Sequence, residues 1–256
     1  MCLIFVAWRA HRDYPVVVAA NRDEFFVRPT APAGFWSEAP HILAGHDLEA
    51  GGSWMGVTRS GRFAALTNYR DPAQMRSGVP SRGGLVANFL AGNASPQGYL
   101  DQIAPLARQC NGYNLLVGDG ESLWWSSNVG EVSRELAPGV YGVSNHLLDT
   151  PWPKVGAGKT ALSRAIEDLP DENGLFELLR DDSLHPDEHL PQTGVPLDWE
   201  RLLSAAFVKS PAYGTRSSTV FIQESGGRIT FDEQTWLPDA AIGPRRRFRF
   251  TASSAR

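Results

Sequence analysis

A cysteine at position 2 heads an apolar run, Leu3 to Trp8. A polar segment, residues 10–15, joins that run to a second, Val16 to Ala20, which ends in Asn21-Arg22-Asp23-Glu24. Two short runs rich in β-branched and aromatic residues, separated by a turn containing Pro15, predict a β-hairpin. With the turn centred near Arg12 or Asp13, antiparallel pairing sets Cys2 opposite Arg22 or Asp23. A thiol, an amide, a guanidinium and a carboxylate then converge at the open end of one hairpin. Removal of Met1 would give Cys2 a free α-amine beside its thiol. The amine titrates near ~7.7–8.0 and a thiol near ~8.5, so one can serve as base for the other at neutral pH. In such a site Arg22 could lower the thiol pKa and hold an anionic substrate group, while Asp23 orients the α-ammonium. The same tetrapeptide also reads as a charged loop after a strand, and both readings stand at this level.

The rest of the chain arranges strands in hairpin groups and helices in pairs. A second hairpin, Ser53 to Val57 and Arg62 to Thr67, turns at Arg59-Ser60-Gly61. Helices follow at Gly84 to Leu90 and Pro96 to Gln109, with Asn93-Ala94-Ser95 supplying a stop and an N-cap. Strands are expected at Tyr113 to Val117, Ser122 to Ser127, Val132 to Glu135 and Val140 to Val143, then helices at Gly158 to Leu169 and Gly174 to Leu179. A polar stretch with His185, Pro186, His189 and Pro191 reads as an exposed loop. Two strands close the pattern, Thr219 to Gln223 and Arg228 to Glu233. Grouped hairpins and paired helices imply stacked antiparallel sheets covered by helices, an α+β class. Without a repeat or a convincing linker, residues 1–256 read as one domain. The basic run Arg245-Arg246-Arg247-Phe248-Arg249, in a tail from about residue 244, is either a solvated tail or an edge strand.

Composition excludes some functions. A net charge of −4 argues against broad nucleic-acid binding, which needs a basic face. Two cysteines, Cys2 and Cys110, make no disulfide framework and suit a reducing compartment. Cys110 reads as a helix-end packing residue. The opening apolar run ends at Arg9, far short of the ~20 residues a membrane span needs, and it lacks a cationic start, so a cytoplasmic location is expected.

Three polar islands interrupt apolar strand ends: Thr67-Asn68-Tyr69-Arg70, Ser144-Asn145-His146, and Tyr213 to Ser218 with Arg216 at its centre. Strand ends that converge on a rigid scaffold commonly form active sites. Asn68 and Asn145 could donate side-chain N–H groups to an oxyanion, and Arg216 could steady developing negative charge. Each island alone is also ordinary turn chemistry.

Taken in order, Cys2, Asn21-Arg22-Asp23-Glu24, Gly51-Gly52-Ser53-Trp54, Leu66 to Arg70, Ser81-Arg82-Gly83 and Asn114 to Asp119 resemble the transport-and-Golgi-organisation family, whose bacterial members are called NRDE proteins. Ser144-Asn145-His146 and Gly214 to Ser218 extend the likeness toward the C-terminus. It is less clear between about Leu169 and Leu203. The resemblance implies an αββα sandwich similar to the N-terminal-nucleophile hydrolases, above all the cysteine branch with bile-salt hydrolases and penicillin V acylases. By motif, Cys2 matches that branch's nucleophile, Asp23 its amine-contacting aspartate, Asn68 and Asn145 its oxyanion-side asparagines, and Arg216 its late arginine. Arg22 is displaced by a few positions from the corresponding arginine. The implied pocket comprises Cys2, Asn21, Arg22, Asp23, Asn68, Asn145 and Arg216. The implied reaction is hydrolysis of a linear amide or related acyl bond through a thioester, with no cofactor required.

The family is also associated with intracellular haem trafficking and with lipid or acyl-CoA metabolism. A second expectation is therefore a non-catalytic protein that holds haem or an acyl conjugate in the same cleft. His46 and His146 are the candidate axial ligands, and no Cys-x-x-Cys-His motif occurs. For an acyl-CoA, Arg22, Arg70 and Arg82 could meet phosphates, while Trp54 and Tyr69 could stack on adenine. A scaffold role ranks last, since no coiled coil, repeat or low-complexity arm supports it.

Overall fold

The computed structural model describes residues 2–130 and 132–253. The first hairpin forms as the sequence pattern implies, from β1 (Cys2–Trp8) and β2 (Val16–Phe25). β3 (Thr30–Phe35), β4 (Ile42–Asp47), β5 (Met55–Thr58) and β6 (Phe63–Asn68) follow. Then come α1 (Gly83–Ala91), α2 (Pro96–Ala107), β7 (Tyr113–Gly118), β8 (Leu123–Ser127), β9 (Val132–Glu135) and β10 (Gly139–Val143). The chain continues through α3 (Pro153–Ala165), α4 (Asn173–Leu179) and α5 (Leu197–Leu202) to β11 (Tyr213–Gln223), β12 (Arg228–Trp236) and β13 (Ile242–Thr251).

The strands build two sheets, β10-β1-β2-β11-β12-β13 and β3-β4-β5-β6-β7-β8-β9. Successive side chains of a strand point to opposite faces, and in β1 both faces are covered. Ile4, Val6 and Trp8 meet Val57, Phe63, Ala65 and Trp125 between the sheets. Leu3, Phe5 and Ala7 meet Val155, Leu162, Leu175 and Leu179 of α3 and α4 outside. This is why β1 is apolar at every position instead of alternating. On the far side, Ala64, Leu66, Leu115 and Val117 of the second sheet pack under Leu85, Phe89, Tyr99 and Leu100 of α1 and α2. The result is a four-layer αββα sandwich, with Phe63 and Phe221 stacked across its centre at 5.2 Å.

Helix α3 approaches β1 so closely that Gly158 has no room for a side chain: an added Cβ would lie 2.0 Å from Phe5 Cζ. Phe5 is fully buried and cannot swing away. Gly158→Ala is expected to destabilise the protein by about 1–3 kcal/mol through overpacking, read as a lower urea midpoint with an unchanged slope. A midpoint within error of the parent would show that α3 can shift off the sheet at no cost.

Several elements depart from the pattern reading. Asn21 to Glu24 lies inside β2, so the charged-loop reading falls. Residues 213–218 likewise belong to β11 instead of preceding it. Strand β3 escapes a pattern search because Pro32 and Gly34 interrupt it, and its pairing with β4 shifts register between Ala31 and Gly34. Helix α3 starts at Pro153, a favoured first-turn proline, well before the expected Gly158. The basic run is no free tail. It forms the edge strand β13, where Arg245 pairs with Asp232 and Arg247 with Asp232 and Glu172. The N-cap expected at Ser95 is present, its Oγ accepting from Gly98 N at 3.1 Å. Among the described residues no helix is long and apolar enough to cross a membrane.

Candidate active site

The register of the first sheet brings the hairpin's polar end together. Cys2 pairs with Arg22 across β1 and β2, and β11 places Thr215 opposite Asp23 and Ser217 opposite Arg22. Arg216 is the extra residue of the bulge between them. Period-2 alternation puts Cys2 and Arg22 on the face between the sheets, with Ile4 and Ala20. Asn21 and Asp23 belong to the opposite face, toward α3 and α4.

Cys2 opens onto a cavity of about 490 Å³ that Arg22, Asp23, Trp54 and Asn68 also line. Arg22 is 5% exposed and its guanidinium lies 4.4 Å from the centre of the Trp54 ring. Its Nη1 is buried without a hydrogen-bond partner among the described residues. Arg28, Arg76 and Arg82 and the carboxylates Glu24, Asp47 and Glu49 complete the charged lining. Arg28 is committed to Asp47 at 2.9 Å and Glu49 at 3.0 Å. The four lining arginines are matched in number by four carboxylates, so Arg22, with its unpartnered Nη1, is the cation placed to meet an anionic group.

Asp23 is 2% exposed and accepts a hydrogen bond from Thr215 Oγ1 at 2.7 Å. Burial pushes its carboxyl above the ordinary range, opposed by the nearby Lys154 ammonium and the Thr215 hydrogen bond. Burial also pushes the Cys2 thiol up, and the Arg22 charge only partly offsets it. The thiol therefore rests neutral and needs a base at the moment it attacks, in contrast to a thiol lowered by Arg22.

The structure gathers Cys2, Arg22, Asp23, Trp54 and Asn68, and takes other expected residues elsewhere. Asn21 is a structural clamp: its Nδ2 donates to Leu179 O at 2.7 Å and Ala206 O at 2.8 Å, and its Oδ1 accepts from Ser218 at 2.6 Å. Asn145 donates to the Asn68 carbonyl at 2.9 Å, so it positions the strand end that carries Asn68 and does not line the cavity. Arg216 turns outward to the carbonyls of Phe25 and Arg28, at 2.9 and 2.8 Å. Arg70 is buried in an ion pair with Glu200 at 2.7 Å. Tyr69 lies in a neighbouring pocket, against His146 at 4.9 Å.

Neither candidate haem histidine reaches the cavity. His46 stacks on Trp36 at 4.7 Å, and His146 Nδ1 is 2.8 Å from Thr150 Oγ1. Among the described residues, no group of three or more His, Cys, Asp or Glu could hold a metal ion. Sequence reasoning missed Thr215, Lys154 and Glu200. Thr215 was hidden by the bulge, and Glu200 sits in α5, too short to announce itself by periodicity. Lys154 is a surface-type residue by composition, yet it is 5% exposed and donates to Leu203 O at 2.7 Å.

Residues 1–238 match the model of the family described as Transport and Golgi organisation 2. The chain is 36% identical over 263 residues to the transport and Golgi organization protein 2 homolog of Bos taurus, covering 93% of this chain and 94% of the bovine protein. It is 34% identical over 277 residues to the Homo sapiens homolog, covering 99% and 100%. Among solved structures, the C2A mutant of conjugated bile acid hydrolase from Clostridium perfringens aligns with a TM-score of 0.51 at 8% identity, covering 98% of this chain and 92% of that one. At that identity the likeness is one of fold.

Proposed function

The chain belongs to the Transport and Golgi organisation 2 family and has the fold of the N-terminal-nucleophile hydrolases, and from that premise we propose that it is a cysteine-dependent acyl hydrolase acting on a small anionic amide or related conjugate. One observation carries this reading: Cys2 shares its cavity with Arg22, whose buried guanidinium nitrogen has no partner of its own among the described residues. A buried cationic donor left unpaired is costly unless a ligand meets it. The solved neighbour is the C2A mutant of a conjugated bile acid hydrolase, which is consistent with chemistry at a cysteine in the same place.

Removal of Met1 frees the α-amine of Cys2 as the base. The amine takes the thiol proton as sulfur attacks the carbonyl carbon, forming the C–S bond. Asn68, which lines the cavity at the end of β6, offers its side-chain N–H to the developing oxyanion. The C–N bond then breaks and the amine leaves with the proton held by the α-ammonium. Water, deprotonated by the same amine, cleaves the thioester to release a carboxylate and restore the thiol. Asp23 fixes the ammonium's orientation. A thiol of this kind suits a reducing compartment such as the cytoplasm.

A second reading, retention of an amphipathic anion without cleavage, is favoured by the positions of Asn145 and Arg216, two oxyanion groups engaged outside the cavity. Haem or an acyl-CoA would then be cargo. Haem carboxylates would fit Arg22 and Arg82, but neither His46 nor His146 is placed to ligate the iron.

Intact mass and iodoacetamide labelling separate the two readings. Hydrolysis requires a mass lacking Met1 and alkylation of Cys2 at least about tenfold faster than of the 3%-exposed Cys110. Because burial raises the Cys2 thiol, its labelling should climb with pH along a curve displaced above that of a free cysteine. Retained Met1 with an inert Cys2 would leave only retention of the anion.

A further inference from the structure

A second pocket of about 560 Å³ lies beside the Cys2 cavity, and the two share Arg76 and Asn111 as a common wall. That wall is firmly built. Arg76 N donates to Asn111 Oδ1 at 2.9 Å, and Asn111 Nδ2 donates back to Arg76 O at 2.9 Å. The Arg76 guanidinium grips the carbonyls of Arg108, Gln109 and Cys110 at 3.2, 3.1 and 2.7 Å, closing the C-terminal end of α2. Arg76 is nonetheless exposed, so the partition is a ridge that an extended ligand can cross, not a closed septum.

The two chambers differ in chemistry. The first is lined by arginines and carboxylates; the second brings in the Tyr69 ring, Val129 and the Met75 thioether beside Asp71, Arg108 and the amides of Gln74 and Asn128. Met75 is 57% exposed, a large apolar side chain left facing solvent at the pocket's edge. Thioethers adapt to irregular apolar and aromatic surfaces, so Met75 and the nearby Tyr69 ring can together cover an apolar group. Gly112, with no side chain, lets Tyr69 and Val129 close over the backbone at this pocket. An added Cβ there would lie 2.9 Å from Tyr69 Cβ and 3.2 Å from Val129 Cγ2. The stretch between β6 and α1 lines both chambers, Tyr69 and Met75 facing the second and residues 78–83 the first.

We infer that this second pocket is a subsite for the apolar end of the substrate, an alkyl or aryl tail, while the anionic end lies with Arg22 and Arg82 beside Cys2. The inference deepens the hydrolytic reading of the Cys2 cavity and rests on it for the word substrate. It makes the substrate class an acyl conjugate with a charged group and an apolar arm on opposite sides of the Arg76 ridge. Tyr69, which the acyl-CoA expectation assigned to adenine stacking, becomes part of the tail's wall.

Calorimetric titration tests this with two simple carboxylates, 6-phenylhexanoate and propionate. The aryl-tailed acid should bind at least about tenfold more tightly, the equivalent of ~1.4 kcal/mol. Met75→Asp, a change at an exposed side chain, and Val129→Trp, which fills the pocket, should each remove that advantage while leaving propionate binding unchanged. Arg22→Gln should weaken both acids. Equal affinity for the two acids, or an advantage that survives both pocket variants, would overturn the inference. Binding needs no reactive thiol, so an inert Cys2 would sink hydrolysis alone and leave the tail subsite to be judged by this titration.

Discussion

Cys2→Ser is expected to slow hydrolysis of p-nitrophenyl hydrogen glutarate, an activated ester with an anionic acyl arm, by about 10,000-fold or more. The hydroxyl keeps the shape of the thiol but is far less acidic, so the same α-amine cannot draw off its proton at comparable cost. The fold should survive, because β1 is held by backbone pairing to β2 and β10 and by its packed apolar residues, none of which depends on the sulfur. The melting temperature should stay within about 3 °C of the parent, a change of roughly 1 kcal/mol for a chain this long. Cys110→Ser, made in parallel, should leave the rate alone. A Cys2→Ser variant that retains activity within tenfold would remove the thiol from the mechanism.

Glu200→Ala carries the largest expected loss of stability. Arg70 is 6% exposed and Glu200 3%, and their 2.7 Å ion pair is supported by Thr193, whose N and Oγ1 donate to the other carboxylate oxygen at 2.9 and 2.6 Å. Arg70 Nε already lacks a partner among the described residues. Deleting the carboxylate leaves a buried guanidinium uncompensated, at a cost of about 3–5 kcal/mol, or roughly 6–20 °C in melting temperature. The double variant Arg70→Met with Glu200→Leu should recover most of that loss, since it removes both charges and keeps apolar volume in place. The effect should also reach the cavity. Arg70 holds Asn145 through its backbone N–H at 2.7 Å to Asn145 O, and Asn145 holds the Asn68 carbonyl. A single variant that unfolds within about 1 kcal/mol of the parent would mean that Arg70 finds water or another acceptor.

The fold was legible where one physical signal dominated. The β1–β2 hairpin was readable from two apolar runs and a turn, and its register followed from the turn's position. The same arithmetic placed Cys2 across from Arg22 or Asp23, and Arg22 is the partner observed. Strand β3 was not legible, because Pro32 and Gly34 remove the alternation that marks a strand. Helix α5 has six residues, too few for a 3.6-residue period to show. In the site, Cys2, Arg22 and Asn68 line the cavity, whereas Asn21, on the same strand as Arg22, faces the helices, and Asn145 and Arg216 are engaged elsewhere. Asn145 and Arg216 carry the right chemistry for an oxyanion, but which way a bulged or terminal residue points depends on contacts distant in sequence. For Arg216 those contacts are the carbonyls of Phe25 and Arg28. Arg70 and Glu200 lie 130 positions apart, and no local pattern could have joined them.

The placement of β1 and β2 at the middle of their sheet has a consequence for how the protein comes into being. Their neighbours are β10, some 140 residues downstream of β1, and β11, some 200 downstream of β2. During synthesis the hairpin leaves the ribosome first and waits, with its apolar faces uncovered, until the strands that flank it have been made. Contacts this distant in sequence fold slowly and expose sticky strands meanwhile. The reactive end of the chain therefore acquires its cavity only in the closing stage of folding, and a half-made chain carries a thiol with no chamber to aim it.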